Sequence, residues 1–229
     1  MLQNIKYAIK HILRHIHRTK DKNFIGFDKY QKHGAYHWEE LKHNESYRKK
    51  LETVASFVHS EYTCLDIGCG DGAYIHALSN KCENIIGVDA DYDAVRLANS
   101  KLKEKAVTNC RCIQIPLSQV TLQALNVDSQ FDLVYSMDVI EHLPDPYELL
   151  QVAAGIVKSH GLVLIGTPIF LNAELVSPYH VKEFTVQEMQ DMVSCYFHIK
   201  EEIILPMLRT DGKIYDDGFY ISVGTPTAK

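Results

Sequence analysis

The sequence lacks several features that would place it in a special class of protein. It has no apolar run near the roughly 18 residues that a membrane-spanning helix needs, and no internal repeat or low-complexity tract. The net charge of −5 gives no overall positive field for nucleic acid. An apolar fraction of 46% is ordinary for a folded domain. We therefore expect one domain with an N-terminal extension and no nucleic-acid partner.

Cysteine is present, but never in the C-x-x-C spacing of zinc and redox motifs. The six cysteines are Cys64, Cys69, Cys82, Cys110, Cys112 and Cys195. Several lie in apolar runs, where a free thiol packs as a small hydrophobic group. This pattern predicts reduced thiols, no zinc site and no disulfide, as is usual for a cytoplasmic protein.

The chain is organised around residues 63–73, which read TCLDIGCGDGA. The apolar run ending at Ile67 predicts a short buried strand, and the residues after Gly72 predict a helix. A strand, a glycine turn and a helix together bring a nucleotide-like ligand against bare backbone. Glycine suits the turn because it adopts positive φ and carries no Cβ to hold the ligand away.

Two kinds of ligand fit such a turn. A dinucleotide would place its pyrophosphate at the helix N-terminus, and Gly68-x-Gly70-x-x-Ala73 matches the looser form of that fingerprint. However, Asp66 closes the strand and Asp71 lies inside the turn, and two carboxylates would repel a pyrophosphate. They suit a ligand with an ammonium and a sulfonium group, such as S-adenosylmethionine, which we favour over NAD.

A further acidic residue supports this interpretation. Residues 85–88 predict a second buried strand, which ends at Asp89, 21 positions after Gly68. An acid at about that distance accepts hydrogen bonds from ribose hydroxyls. The alternative role for Asp89 is to cap the helix predicted over residues 91–105.

The remaining pattern alternates strands with helices. Helices are predicted over residues 45–60, 144–161 and 186–195, and strands over residues 110–115, 131–136, 161–166, 197–205 and 219–223. The alternation predicts an α/β fold with a doubly wound, mostly parallel sheet. We expect the last two strands, residues 197–205 and 219–223, to form a hairpin with a long connection, which would make one of them antiparallel to the sheet.

The N-terminal extension has two parts. Residues 2–18 have apolar side chains at helical spacing and a basic opposite face. This helix would dock on the domain or on a second copy, lie on an anionic membrane surface, or bind a polyanionic partner. Residues 19–45 include Tyr36, His37 and Trp38, which either pack the extension onto the core or form a lid over a site. We place the domain boundary between residues 1–45 and 46–229.

Over roughly residues 50–225 the chain resembles the class I S-adenosylmethionine-dependent methyltransferases. The resemblance is carried by LDIGCGDG, the strand end at Asp89, FDLVYSMDVIEHLPDP and LVLIGTP, in the family's order. It looks most like small-molecule O-methyltransferases of surface-polysaccharide and quinone biosynthesis, the former through YHVKEFT at residues 179–185. The resemblance implies a Rossmann-like, seven-stranded sheet with an antiparallel last strand and the cofactor at the carboxyl ends of the strands.

The resemblance also assigns residues to the cofactor. The glycine turn would contact the methionine portion, Asp89 the ribose, and residues near Ala90 the adenine. No acid follows the third strand to read the adenine amino group, so backbone and stacking would replace it. The implied cofactor residues are Asp66, Gly68, Cys69, Gly70, Gly72, Asp89, Ala90, Gln114, Ile115, Ser136 and Met137.

Methyl transfer to a hydroxyl requires an aligned acceptor and a base that takes its proton. His142 after the fourth strand and His180 after the fifth are both expected on the pocket side, and we favour His180. Capping of backbone by His142 and bracing of the loop by His180 are the structural alternatives. Substrate contacts are expected from Tyr36, His37, Trp38 and Tyr179.

Asp138, Glu141 and His142 form a D-x-x-E-H cluster that could hold a divalent cation. A network that begins the following helix is the interpretation we prefer, so no metal is expected.

For the acceptor we expect first a sugar or nucleotide-linked precursor of a surface polysaccharide. The second expectation is a polyprenyl phenol or catechol, with residues 2–18 as a foothold on the membrane. A non-catalytic, cofactor-binding partner of another enzyme and an NAD-dependent enzyme are the remaining alternatives, and a homodimer is left open.

Overall fold

The computed structural model describes residues 28–227, which form a seven-stranded sheet in the order β3-β2-β1-β4-β5-β7-β6. The strands are β1 (Thr63–Ile67), β2 (Asn84–Asp89), β3 (Cys110–Gln114), β4 (Phe131–Met137), β5 (Val157–Pro168), β6 (Phe197–Leu208) and β7 (Ile214–Pro226). β7 runs antiparallel to the other six strands, which are parallel to one another. The predicted Rossmann-like sheet with an antiparallel last strand is thus confirmed.

Seven α-helices accompany the sheet in the described residues. They are α1 (Lys29–His33), α2 (His37–His43), α3 (Glu45–Ala55), α4 (Ala73–Leu78), α5 (Tyr92–Glu104), α6 (Pro146–Ile156) and α7 (Val186–Val193). Polar side chains fix where several of them begin. Asp145 caps α6 ahead of Pro146, and Thr185 forms a capping box with Glu188 at the start of α7.

The sheet is covered on both faces, so its central strands are apolar on both sides. Helices α6 and α7 supply Leu149 and Met189 to the core on one face. Helices α4 and α5 supply Ile75 and Val95 to the core on the other face. Burial of both faces explains why β1, β2 and β4 were recognisable as short apolar runs.

Several predicted boundaries were wrong. Helix α6 ends at Ile156 and β5 begins at Val157, because the buried Val157 pairs with Phe131 in the sheet. The hairpin connection is short, residues 209–213, because β6 and β7 extend well beyond the predicted strands. The extension of β7 includes the exposed Asp216 and Asp217, so no apolar run marks it. Helices α1 and α2 lie in a segment for which the sequence predicted no helix.

The first part of the predicted extension is not among the residues that the structure describes. The amphipathic helix predicted over residues 2–18, with its docking or membrane role, lies outside the described residues. Within residues 28–227 every helix is too short or too polar to cross a membrane.

The packing of α4 on the sheet depends on the absence of a side chain at Gly87. A Cβ built there would lie 2.3 Å from Ile75 Cδ1 and 2.8 Å from Cys69 Cβ. We expect Gly87→Ala to lower the free energy of unfolding by about 1–3 kcal/mol through overpacking. Urea denaturation measures this change.

Gly155→Ala is the matched control, because Gly155 is exposed in α6 and its Cβ would meet nothing within 4 Å. That change should be neutral or stabilise the protein by up to about 1 kcal/mol. Equal stability of the two variants would contradict the described packing.

Candidate active site

A cavity of about 760 Å³ opens at the carboxyl ends of β1, β2 and β4. This is the edge where open α/β sheets bind ligands. Part of its wall is the glycine turn, and the rest comes from the N-terminal helices, the loop after β5 and the end of β6. Eight of the predicted cofactor residues line it: Asp66, Gly68, Cys69, Gly70, Asp89, Ala90, Ile115 and Met137.

The glycine turn is held firmly by the neighbouring strand. The backbone N–H groups of Gly68 and Cys69 donate to the Val88 carbonyl at 2.7 and 3.0 Å. The Gly70 N–H donates to Asp89 Oδ2 at 2.9 Å. Gly70 has a φ of 53°, and a Cβ there would lie 2.2 Å from the Tyr30 hydroxyl. The backbone therefore takes a left-handed turn directly beneath the N-terminal segment.

Asp89 links this turn to the start of α5. Its Oδ1 accepts from the Asp91 N–H at 2.8 Å, while Oδ2 holds Gly70. The cap of α5 is Asp91, whose side chain accepts from the Ala94 N–H at 2.9 Å. The alternative role considered for Asp89, the helix cap, therefore belongs to Asp91. Burial raises the pKa of Asp89.

Asp66, near the carboxyl end of β1, lines the cavity. Its side chain is buried, and burial raises its pKa to about 8. An uncharged carboxyl is favoured in such a site until a cation enters.

Three predicted cofactor residues lie outside the cavity wall. Ser136 is buried and its hydroxyl donates to the Ile67 carbonyl at 2.8 Å, which ties β4 to β1. Gln114 is exposed and its amide donates to the Ala90 carbonyl at 3.1 Å. Gly72 allows close packing, because a Cβ there would lie 3.0 Å from the Ala98 side chain of α5. These residues support the wall and do not form it.

Helix α2 and the residue before it close over the glycine turn. The His37 N–H donates to Asp71 Oδ2 and the Trp38 indole donates to the Asp71 carbonyl, each at 2.9 Å. Tyr36 and His37 line the cavity, whereas Trp38 lies outside it and packs on His76 with 4.7 Å between ring centroids. The packing of this segment onto the core is thus observed for Trp38, while a lid role stays a prediction. Asp71 is engaged by this segment on both its side chain and its carbonyl.

An aromatic wall faces the glycine turn, and most of it was missed by sequence reasoning. His37 stacks on Tyr47 at 5.3 Å between centroids, and Tyr47 meets Tyr74 at 5.0 Å. Tyr30 and Tyr36 complete this wall in the cavity. Aromatic faces attract cations, so this surface suits a sulfonium group. Four of these five residues are tyrosines, and their uneven spacing along the sequence matches no motif that would have predicted the wall.

The two predicted bases meet in the cavity wall. The rings of His142 and His180 are in edge-to-face contact with 4.9 Å between their centroids. His142 Nδ1 donates to the Tyr179 carbonyl at 2.9 Å, and His180 Nδ1 lies 2.8 Å from Glu183 Oε1. Tyr179, a predicted substrate contact, is not among the lining residues. Burial lowers the pKa of His142 to about 4.

Among the described residues, the group best placed to hold a metal ion differs from the D-x-x-E-H cluster that the sequence offered as a possibility. Ligand atoms of Glu141, His142 and His180 all lie within 4.8 Å of one another. Asp138 is instead paired with the buried Lys50, whose ammonium lies 2.8 and 2.9 Å from the two carboxylate oxygens. Asp138, which belonged to the set considered from the sequence, is thus engaged by a cation from α3 and does not join this group. Burial raises the pKa of Glu141, which favours its uncharged form.

Comparison with known proteins identifies the domain. A family model described as a methyltransferase domain matches residues 65–165. Over those residues the chain is similar to methyltransferase domains, in line with the resemblance seen in the sequence. The matched residues run from β1 into β5 and include the glycine turn and Asp89. S-adenosylmethionine is the cofactor of this family, as the resemblance implied. The buried acids and the aromatic wall fit its ammonium and sulfonium groups.

Curated relatives of the domain are named ubiquinone biosynthesis O-methyltransferases. The protein from Nitrosomonas europaea is 31% identical over 110 residues, which are 47% of this chain and 44% of that relative. The protein from Hydrogenovibrio crunogenus is 27% identical over 177 residues, which are 76% of this chain and 69% of that relative. The chain thus spans less than half the length of the Nitrosomonas protein.

Solved structures share the fold at low sequence identity. The N-methyltransferase NodS from Bradyrhizobium japonicum, solved with S-adenosyl-L-homocysteine, has a TM-score of 0.66 and 14% identity, over 82% of this chain and 91% of that one. The [4+2]-cyclase SpnF also has a TM-score of 0.66 and 14% identity, over 80% of this chain and 82% of that one. These likenesses concern the fold alone, and they include more than one kind of reaction.

Cofactor binding should release a proton at neutral pH. Because burial raises the pKa of Asp66 to about 8, its carboxyl is mostly protonated at pH 7. An ammonium group favours the ionised form, so S-adenosylhomocysteine should release close to one proton and bind about tenfold more weakly at pH 6 than at pH 7. Calorimetry in two buffers of different ionisation enthalpy measures this release. Asp66→Asn should abolish it, and wild-type binding without proton exchange would contradict the assignment.

Proposed function

We propose that this protein transfers the methyl group of S-adenosylmethionine to an oxygen atom of a small-molecule acceptor. One observation carries the proposal: a single cavity is lined by the glycine turn and Asp89 on one side and by His142 and His180 on the other. The methyl donor and a base would then lie in one enclosure. In it, Asp66 faces the ammonium group and Asp89 the ribose hydroxyls.

Oxygen is favoured as the attacked atom by the histidines and by the relatives. A hydroxyl must lose its proton when it is methylated, and an uncharged imidazole takes a proton readily. The curated relatives are named O-methyltransferases. His180 is the base we propose, because its Nδ1 is bonded to a carboxylate, whereas that of His142 is bonded to a neutral carbonyl.

For the acceptor, the relatives favour a phenol or catechol over the surface-glycan precursor that the sequence placed first. Their names refer to ubiquinone biosynthesis. The cavity rim also includes Met207 and the half-exposed Leu208, which pairs across the hairpin with the exposed Ile214. An apolar rim suits an aromatic or lipid-like acceptor better than a sugar.

The proposal is tested by following label from methyl-labelled S-adenosylmethionine into a panel of catechols, phenols and nucleotide-linked sugars. We expect O-linked methyl product with a catechol or phenol, and its loss in Asp89→Ala. That variant removes hydrogen bonds to a charged group and should weaken S-adenosylhomocysteine binding about 10- to 100-fold. Asp93→Asn is the matched control, since Asp93 lies on α5 and pairs with Arg96 outside the cavity.

Other outcomes of this panel would overturn parts of the proposal. Product with a nucleotide-linked sugar alone would restore the glycan acceptor. Tight cofactor binding without turnover on any acceptor would favour a non-catalytic partner of another enzyme.

The base is tested by comparing two substitutions. We expect His180→Gln to lower kcat by about 10²- to 10⁴-fold, as loss of a general base does, and His142→Gln to lower it by less than tenfold. Steady-state kinetics with a saturating acceptor measure both changes. A larger loss of kcat in His142→Gln than in His180→Gln would contradict this assignment. If the wild-type kcat also stayed constant down to about pH 4, the base would be His142, whose pKa is about 4.

A further inference from the structure

We infer that Glu183 is a positioning residue that fixes the tautomer and orientation of His180, with Arg209 from the hairpin holding Glu183 in place. The inference rests on the proposed function only where it predicts a change in kcat. The geometry of the three side chains stands by itself.

Glu183 is buried and its carboxylate is fully engaged. Oε1 lies 2.8 Å from His180 Nδ1 and accepts from the Ser177 N–H at 3.3 Å. Oε2 accepts from the Arg209 guanidinium. A carboxylate in the protein interior requires partners of this kind, since burial otherwise disfavours its charge. Burial opposes ionisation of Glu183, but His180 and Arg209 together hold its pKa below the ordinary value.

Arg209 brings a distant part of the chain to this carboxylate. It follows β6 at the tip of the closing hairpin, and its side chain is buried. The same guanidinium nitrogen donates to the Leu175 carbonyl at 3.2 Å. The Thr210 hydroxyl donates to that carbonyl at 3.3 Å. The hairpin therefore fixes both Glu183 and the loop that carries His180.

The contacts decide which ring nitrogen of His180 carries the proton. An ionised carboxylate only accepts hydrogen bonds, so the atom facing it, Nδ1, must be the N–H donor. In the uncharged ring, Nε2 is then the basic nitrogen. His180 lines the cavity, whereas Glu183 does not. Nε2 is therefore the atom that would take the proton of the hydroxyl group that is methylated.

The step balances as follows. The acceptor hydroxyl gives its proton to His180 Nε2, and the oxygen forms a bond to the methyl carbon. The bond between that carbon and sulfur breaks, with its electron pair passing to sulfur, which leaves a neutral thioether. Glu183 faces the positive charge that the imidazole gains, and stabilises it without taking the proton.

The test uses the Glu183→Gln variant. Arg209 would still donate to the carboxamide oxygen, so the NH₂ group would face His180 Nδ1. That nitrogen must then accept, which moves the proton to Nε2 and removes the basic atom from the cavity. ¹⁵N NMR of histidine-labelled protein, with His180→Gln identifying the signals, should show the Nδ1–H tautomer in the wild type and the Nε2–H tautomer in the variant. kcat should fall about 10²-fold, while the acceptor KM and S-adenosylhomocysteine binding change less than twofold.

Glu188→Gln is the matched control, because Glu188 follows in the same region and pairs with Lys182 at 2.6 Å, away from His180. It should leave both the tautomer and kcat unchanged. An Nε2–H tautomer in the wild type would overturn the inference whether or not the variant folds and whichever acceptor is used. An equal fall of kcat in both variants would also overturn it, since that would indicate general loosening of the loop. If no acceptor is turned over, the NMR result still decides the inference, and only the proposed function fails.

Discussion

The turn between β1 and α4 is the constraint on which the rest of the site depends. Its backbone is left-handed at three glycines, so little in the turn itself keeps it in shape. Hydrogen bonds to the Val88 carbonyl and Asp89 fix it from the β2 side, and Asp71 fixes it to the segment that carries His37. One short turn thus sets the positions of the buried acids, the start of α5 and the N-terminal segment.

Buried ion pairs organise the other half of the cavity. Lys50 from α3 pairs with Asp138 at the end of β4, a residue with a φ of 57°. Arg209 from the hairpin pairs with Glu183 in the loop after β5. Buried pairs of this kind add little stability over apolar packing, but each fixes one arrangement of its elements. The end of β4 and the loop after β5 are held in this way beside the cavity.

The sequence was sufficient for the features that depend on local pattern. Buried strands appear as apolar runs, and the glycine turn and Asp89 follow a spacing set by one strand, one helix and the next strand. The contact of His37 with Asp71, the Lys50–Asp138 pair and the Arg209–Glu183 pair were not predictable. Each joins residues that are far apart in sequence, 88 positions for Lys50 and Asp138, and none leaves a periodic signal. Ser136 and Gln114 were assigned to the cofactor by resemblance, but neither lines the cavity.

The central claim is that the glycine turn and Asp89 form a site for S-adenosylmethionine. Calorimetric titration of the wild-type protein with S-adenosylhomocysteine, beside an identical titration with NAD, tests it most directly. The account predicts micromolar binding of S-adenosylhomocysteine and no measurable binding of NAD. Binding of NAD with no binding of S-adenosylhomocysteine would contradict it, since the buried acids of the turn would then be accommodating a pyrophosphate.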